Sequence, residues 1–285
     1  MRAGALLWSL DALTVAALVL AAVLYARGWG WLRRRMPRRF TWLRLLSFML
    51  GLDLLLVAVS PPMEALAVQS LAVHMSQHLL LMMVVAPLLW LAAPLAPLLR
   101  GLPGPVLRGA IAVFSWGLVR HAGRVLANPV IGWTSFAVVV WLWHVPAVYE
   151  RALQSDGWHH LQHTAFIASA LLFWWPVVQP WPSRPRWPRW AMIPYLLLAD
   201  VHNTVLAAIF TFAGRVVYPA YAATAGRAGR SALDDQILAG VIMWGSGSLI
   251  LLIPAGWLVL TLLLPTGTPR DSGTPEIRPL PDLGL

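Results

Sequence analysis

The sequence predicts an all-α integral membrane protein, a bundle of seven transmembrane helices with one interfacial helix, and three observations carry that reading. The 285 residues are 59% hydrophobic and 11% charged, with a mean hydropathy of +0.69; soluble domains run nearer 45–50% apolar and about 25% charged. The apolar residues fall in runs of about 20, the length at which a helix crosses the hydrocarbon with every backbone group satisfied. All 21 basic residues are arginines, placed mostly between those runs. The net charge of +10 is therefore read as a topology signal. A nucleic-acid partner is not expected, because long Leu, Val and Ala runs have no use in such a protein. The absence of cysteine excludes disulfides, thiolate metal sites and iron–sulfur clusters.

Taken in order, the expected spans are 5–27, 41–60, 67–95, 129–150, 159–179, 191–213 and 235–264. Basic charge follows the first run instead of preceding it, which argues against a cleavable signal peptide. Residues 104–124 are apolar only from Ile111 to Val119, between Arg108, Arg120 and Arg124. That stretch is too short to cross and reads as an amphipathic helix on the membrane surface. The membrane domain thus covers 1–265, and 266–285, rich in Pro, Gly and charge, is expected to be a disordered cytoplasmic tail. With seven spans, every arginine except Arg2, Arg151, Arg215, Arg227 and Arg230 falls on one side. The positive-inside rule makes that side cytoplasmic and puts the N-terminus outside.

This orientation turns scattered polar residues into a pattern. His74 and His78 open the third span from the outside, His144 lies at the outer end of the fourth, and His159, His160 and His163 open the fifth. His202 sits midway along the sixth. Asp53 and Asp235, with Asp11, fall in outer halves, and Asp200 lies near mid-span. A charge at mid-bilayer costs roughly 2.5–3.5 kcal/mol on insertion scales, so such groups face a shared interior with partners. His74 and His78 are one turn apart on one helix face, as are His159 and His163. Met82 extends the first stripe and Met75 borders it. Two such pairs on facing helices could give four nitrogens to one metal ion, or two to each of a pair. Imidazole suits copper, zinc, iron and nickel, and thioether sulfur favours Cu(I). The residues alone lean to copper without excluding the other three metals, with His74, His78, His144, His159, His160, His163, His202, Met82 and Met243 as the candidate ligands. Asp53, Asp200 and Asp235 are expected to hydrogen-bond the far ring nitrogens and fix their tautomers.

At these residues the chain resembles the multi-span CtaG-type cytochrome c oxidase assembly factors of bacteria. The matching stretches are HMSQHLLLMMVVAPLL at 74–89, WLWHVPAVYERAL at 141–153, WHHLQHTAFIASALLFWWPV at 158–177 and DQILAGVIMW at 235–244, with VVYPAYA at 216–222 as the Tyr-Pro turn before the last span. It departs from the family pattern at Ile237, where a second Gln is usual, and in Gly245-Ser246-Gly247, where Pro follows Met-Trp. The resemblance implies a role in haem–copper oxidase maturation through copper handling, in the bacterial inner (plasma) membrane. It also implies site roles for His74, His78, His144, His159, His160, His163, Asp235 and Met243.

The expected function is that of a copper-binding assembly factor without turnover chemistry, partnered by an oxidase subunit or a copper chaperone and by membrane lipid. Two alternatives stand beside it. H-x-x-x-H with H-H-x-x-H is similar to the histidine boxes of membrane di-iron oxidases and hydroxylases, although those generally face the cytoplasm. A haem protein would use two His from different spans, but i, i+4 pairs do not place ligands on opposite faces of a ring. No phosphate-binding loop and no nucleophile elbow occurs in the sequence.

Overall fold

The structure, a computed structural model, describes residues 12–223 and 230–264. The start of the first expected span, Asp11 and the tail at 266–285 lie outside the described residues. Among the described residues the chain is helical, with no strand. The helices are α1 (Ala12–Arg35), α2 (Trp42–Ala58), α3 (Pro61–Ala67), α4 (Leu71–Leu91), α5 (Leu95–Gly101), α6 (Gly104–Ser115) and α7 (Gly117–Leu126). Then follow α8 (Pro129–His144), α9 (Pro146–Gln154), α10 (Asp156–Val178), α11 (Arg189–Phe212), α12 (Pro219–Ala222) and α13 (Ala232–Leu263).

By length and hydropathy α1, α4, α10, α11 and α13 can each cross a membrane alone. The count reaches seven when α2 with α3, bent by 52°, and α7 with α8, bent by 67°, are each taken as one span. The chain is a multi-pass membrane protein. Its outward faces carry the apolar belt that lipid requires, as with Leu13, Leu43, Leu198, Leu249 and Ile253, all exposed.

Three boundaries differ from the sequence reading. The fourth run does not reach residue 150, because Val145 is extended ahead of Pro146 and α9 begins afresh there. Residues 104–124 form two helices, not one, separated at Trp116, whose backbone is extended at φ −62° and ψ 137°. Neither of the two buries a residue. Helix α1 continues past Arg27 to Arg35, because Trp29 and Leu32 on that extension are buried and Arg33 stacks on Trp29 and Trp42.

Lipid tails are as apolar as leucine, so membrane helices associate through close packing and hydrogen bonds. Two cores result. The larger joins α4, α8, α10, α11 and α13 around Phe136, Phe166, Phe173, Leu196 and Ala239. Helix α4 is its centre, mostly buried, whereas α1 is mostly exposed. The smaller core holds Tyr25, Trp29, Phe48 and Leu52 of α1 and α2 against Ala92. There the backbones of α1 and α5 touch: a Cβ on Gly28 would overlap the Pro97 carbonyl, and one on Gly101 the Leu24 carbonyl. The packing of α11 on α13 uses the same device, since a Cβ on Gly240 or Gly247 would strike Thr211 or Asn203.

Residues Leu80–Val85 of α4 form a π-helical turn. In that register the Met82 carbonyl would be met by the N–H of residue 87, which is proline and has none. The Trp174 indole of α10 donates to it instead, at 3.0 Å. The wide turn is thereby tied to the helix that carries the second histidine pair.

Candidate metal centre

The site starts from the first turn of α4. Four N–H groups there have no partner inside the helix. Ser70 caps one, accepting from Val73 N at 3.3 Å. Ser70 N itself bonds the Leu66 carbonyl at 3.0 Å, and Asp235 of α13 takes the other two: it accepts from Leu71 N at 2.6 Å and Ala72 N at 3.4 Å, and also from Ser70 Oγ at 2.7 Å. A carboxylate is favourable at this positive end of the helix dipole. This fixes the turn carrying His74.

His74 and His78 face each other with Nε2 atoms 2.9 Å apart. On its other side His74 Nδ1 lies 2.9 Å from the Tyr221 hydroxyl. Tyr221 Oη donates to the Ala67 carbonyl at 3.0 Å and is 3.1 Å from Tyr149 Oη. Burial holds the Tyr218 and Tyr221 hydroxyls above the ordinary phenol range, so both remain protonated donors. With the Tyr221 proton directed at Ala67, His74 Nδ1–H donates to Tyr221 and its Nε2 lone pair is turned to His78. Tyr221 is thus the hydrogen-bond partner of the His74 ring nitrogen that faces away from His78.

Helix α10 brings the second pair. The His159 and His163 rings are 4.2 Å apart between centroids, His159 lies 5.4 Å from His74, and His163 lies 5.5 Å from His78. Donor atoms of His74, His78 and His163 all fall within 4.8 Å of one another, and so do those of Glu64, His159 and His163. The two triads share His163. Buried ring nitrogens without a hydrogen-bond partner include His78 Nδ1, His159 Nε2 and His163 Nε2. Unpartnered buried polar atoms are costly, whereas a metal ion satisfies an imidazole lone pair directly. With N/O–metal distances of about 2.0–2.2 Å, small side-chain adjustments would close either triad on an ion. The donor chemistry fits.

The other expected ligands are placed differently. His144 and His202 line a second, smaller cavity of about 20 Å³ with Met75, Met82, Met83, Met243 and His78. That is room for one atom-sized guest. His144 Nδ1 donates to Val140 O at 2.7 Å, leaving Nε2 unpartnered, and both nitrogens of His202 are unpartnered. His78 borders both compartments. His160 is exposed, about a quarter-turn from His159, and joins neither.

The expected carboxylates do not orient imidazoles. Asp53 is exposed on α2. Asp200 is half-buried with Oδ1 unpartnered and belongs to neither triad. Asp235 holds the helix that bears the histidines, which places its effect one step further back. Sequence reasoning missed Glu64 and Tyr221. The Tyr-Pro turn was the visible signal for the second; Glu64, on a short helix before the third span, carried none. The fully buried Gln162, whose amide lies beside His74, was also missed. The histidine rings are in mutual contact, so no slot for a porphyrin lies between any pair of the four.

Fold and site together define a class: polytopic membrane proteins with an imidazole-lined pocket near one end of the bundle. A family model, cytochrome c oxidase caa3 assembly factor, matches residues 23–263, and the chain belongs to that family. It is 26% identical over 254 residues to an uncharacterized protein of Mycobacterium bovis and likewise to one of Mycobacterium tuberculosis. The alignment covers 83% of this chain and 36% of each relative, so the chain spans about a third of the length of the curated proteins it matches. No solved structure matches it.

Proposed function

We propose that this protein handles copper for cytochrome c oxidase assembly. The ion is cargo: it binds among His74, His78, His159 and His163 and passes to an oxidase subunit, with a copper chaperone as the source. The reading rests on one observation, the meeting of two i, i+4 imidazole pairs from separate helices with several ring nitrogens left unpartnered. The adjoining His/Met cavity, with its thioethers, suits Cu(I), and His78 is common to both. A surplus of donors over the four of a closed site favours exchange over permanent retention. The chain itself has no turnover chemistry in this reading. The arginine asymmetry supports a histidine end and an N-terminus outside the cytoplasm, and the resemblance supports a bacterial inner membrane.

The test is copper stoichiometry and affinity of the purified full chain, wild type against a quadruple variant with His74, His78, His159 and His163 changed to Ala. Copper bound by the first and lost from the second is the expected result; unchanged binding overturns the proposal. Glu64 with His159 and His163 favours a second reading, because two imidazoles and a carboxylate suit non-haem iron. Iron in the purified protein together with oxygen-dependent oxidation of a substrate would establish that reading instead.

A further inference from the structure

At the end of the bundle opposite the histidines lies a cavity of about 800 Å³, within the usual range for ligand sites. Arg120 and Arg124 of α7 and Arg184 and Arg186 of the α10–α11 connection line it, with Trp175 and Trp187 in its wall. Every lining residue comes from stretches without an acid, since the sequence has no Asp or Glu between Glu64 and Glu150 or between Asp156 and Asp200. Within the described residues, none of the four guanidinium groups pairs with a carboxylate.

Other arginines at this end are differently employed. Arg33 stacks on Trp29 and Trp42, Arg35 and Arg100 on Trp31, and Arg39 on Trp181. Among the described residues the four in the cavity have no aromatic partner, and their side chains bond only each other's backbone, from Arg124 to the Arg120 carbonyl and from Arg186 to the Arg124 carbonyl. A topology signal accounts for arginines spread along loops, but it does not gather four into one concavity.

Helix α7 shows where this concavity sits. Gly117, Arg120, Gly123 and Arg124 face the cavity, while Leu118, Val125 and Leu126 are exposed away from it. A short helix with arginines on one face and bare leucines on the other lies in the plane of a bilayer, at headgroup depth. Guanidinium forks match phosphate oxygens bidentately, and basic pockets at the cytoplasmic ends of membrane helices take anionic headgroups.

We infer that this cavity binds the phosphate headgroup of an anionic phospholipid, held by Arg120, Arg124, Arg184 and Arg186. The shared chemistry is a phosphate ester, and the lipid is the source to which the geometry of α7 points. The site is independent of the metal centre.

The test uses the full chain in nanodiscs of phosphatidylcholine mixed with phosphatidylglycerol, with retained lipid read by native mass spectrometry. Wild type is expected to keep phosphatidylglycerol in preference to phosphatidylcholine, and each Arg→Gln change to reduce that retention about fivefold. A Cβ on Gly123 meets nothing within 4 Å, so Gly123→Phe places a ring in the cavity without backbone conflict and is expected to lower retention too. This second variant decides the matter if the single arginine variants do not fold. Equal retention of the two lipids, or wild-type retention by Gly123→Phe and the single Arg variants, overturns the inference. Occupancy by soluble glycerol phosphate with no lipid preference also overturns it, by assigning the site to a free phosphate.

Discussion

Asp235 on the last long helix accepts the backbone N–H of Leu71 at 2.6 Å, so an acid 164 positions along the chain caps the helix that presents His74. Removing the carboxylate strands Leu71 N and the Ser70 hydroxyl in a buried place. Asp235→Ala is therefore expected to destabilise the fold by about 1–3 kcal/mol. Thermal unfolding in detergent measures this. Copper affinity should fall less in Asp235→Asn, which retains an acceptor oxygen, than in Asp235→Ala.

Tyr221 holds Nδ1 of His74 and thereby directs Nε2 at His78. Tyr221→Phe keeps the ring and removes the acceptor. Partners of this kind are worth roughly 10–100-fold in metal affinity, so competitive copper titration should register a loss of that order with the unfolding midpoint little changed. Unchanged affinity would remove Tyr221 from the site.

His163 belongs to both donor triads, whereas His160, three residues before it, belongs to neither. Copper binding is expected to suffer more from His163→Ala than from His74→Ala or His159→Ala, each of which interrupts a single triad. His160→Ala should bind as wild type does. Titrating the four purified variants side by side checks the order.

An ion that binds only the folded chain stabilises it by mass action, about 2.7 kcal/mol at a free concentration 100 times the dissociation constant. Copper should raise the unfolding midpoint, and a chelator should return it. The shift should vanish in the quadruple histidine variant. A shift that persists there would move the binding site elsewhere.

Gly28 and Gly101 let two backbones meet in the smaller core, away from the histidines. Gly101→Val forces these helices apart at about 1–3 kcal/mol, the usual penalty for overpacking. Copper uptake by the folded variant should match wild type, because the donors stand in the larger core.

Much of this architecture was legible because membrane helices announce themselves by length and apolarity, and α4, α10, α11 and α13 lie within a few residues of where the runs predict them. The breaks were harder. Pro146 ended α8 through its effect on Val145, while the division at Trp116 has no proline and rests on local backbone conformation. Periodicity correctly paired His74 with His78 and His159 with His163, since i, i+4 fixes a shared face. It could not tell which histidines from different helices meet, so His144 and His202 were grouped with the outer four although they line a separate cavity. Nor could hydropathy distinguish Asp53, which is exposed, from Asp235, which is buried and acts on backbone N–H groups.

One ring, that of His78, forms part of the wall between the imidazole cluster and the sulfur-rich hollow beneath it. In the proposed copper role, an ion passing between the two compartments would be handed over by this one side chain as it turned about its own bonds. A bulky neighbour that blocked this rotation would slow transfer while leaving each compartment able to fill, so rate and capacity can be altered separately.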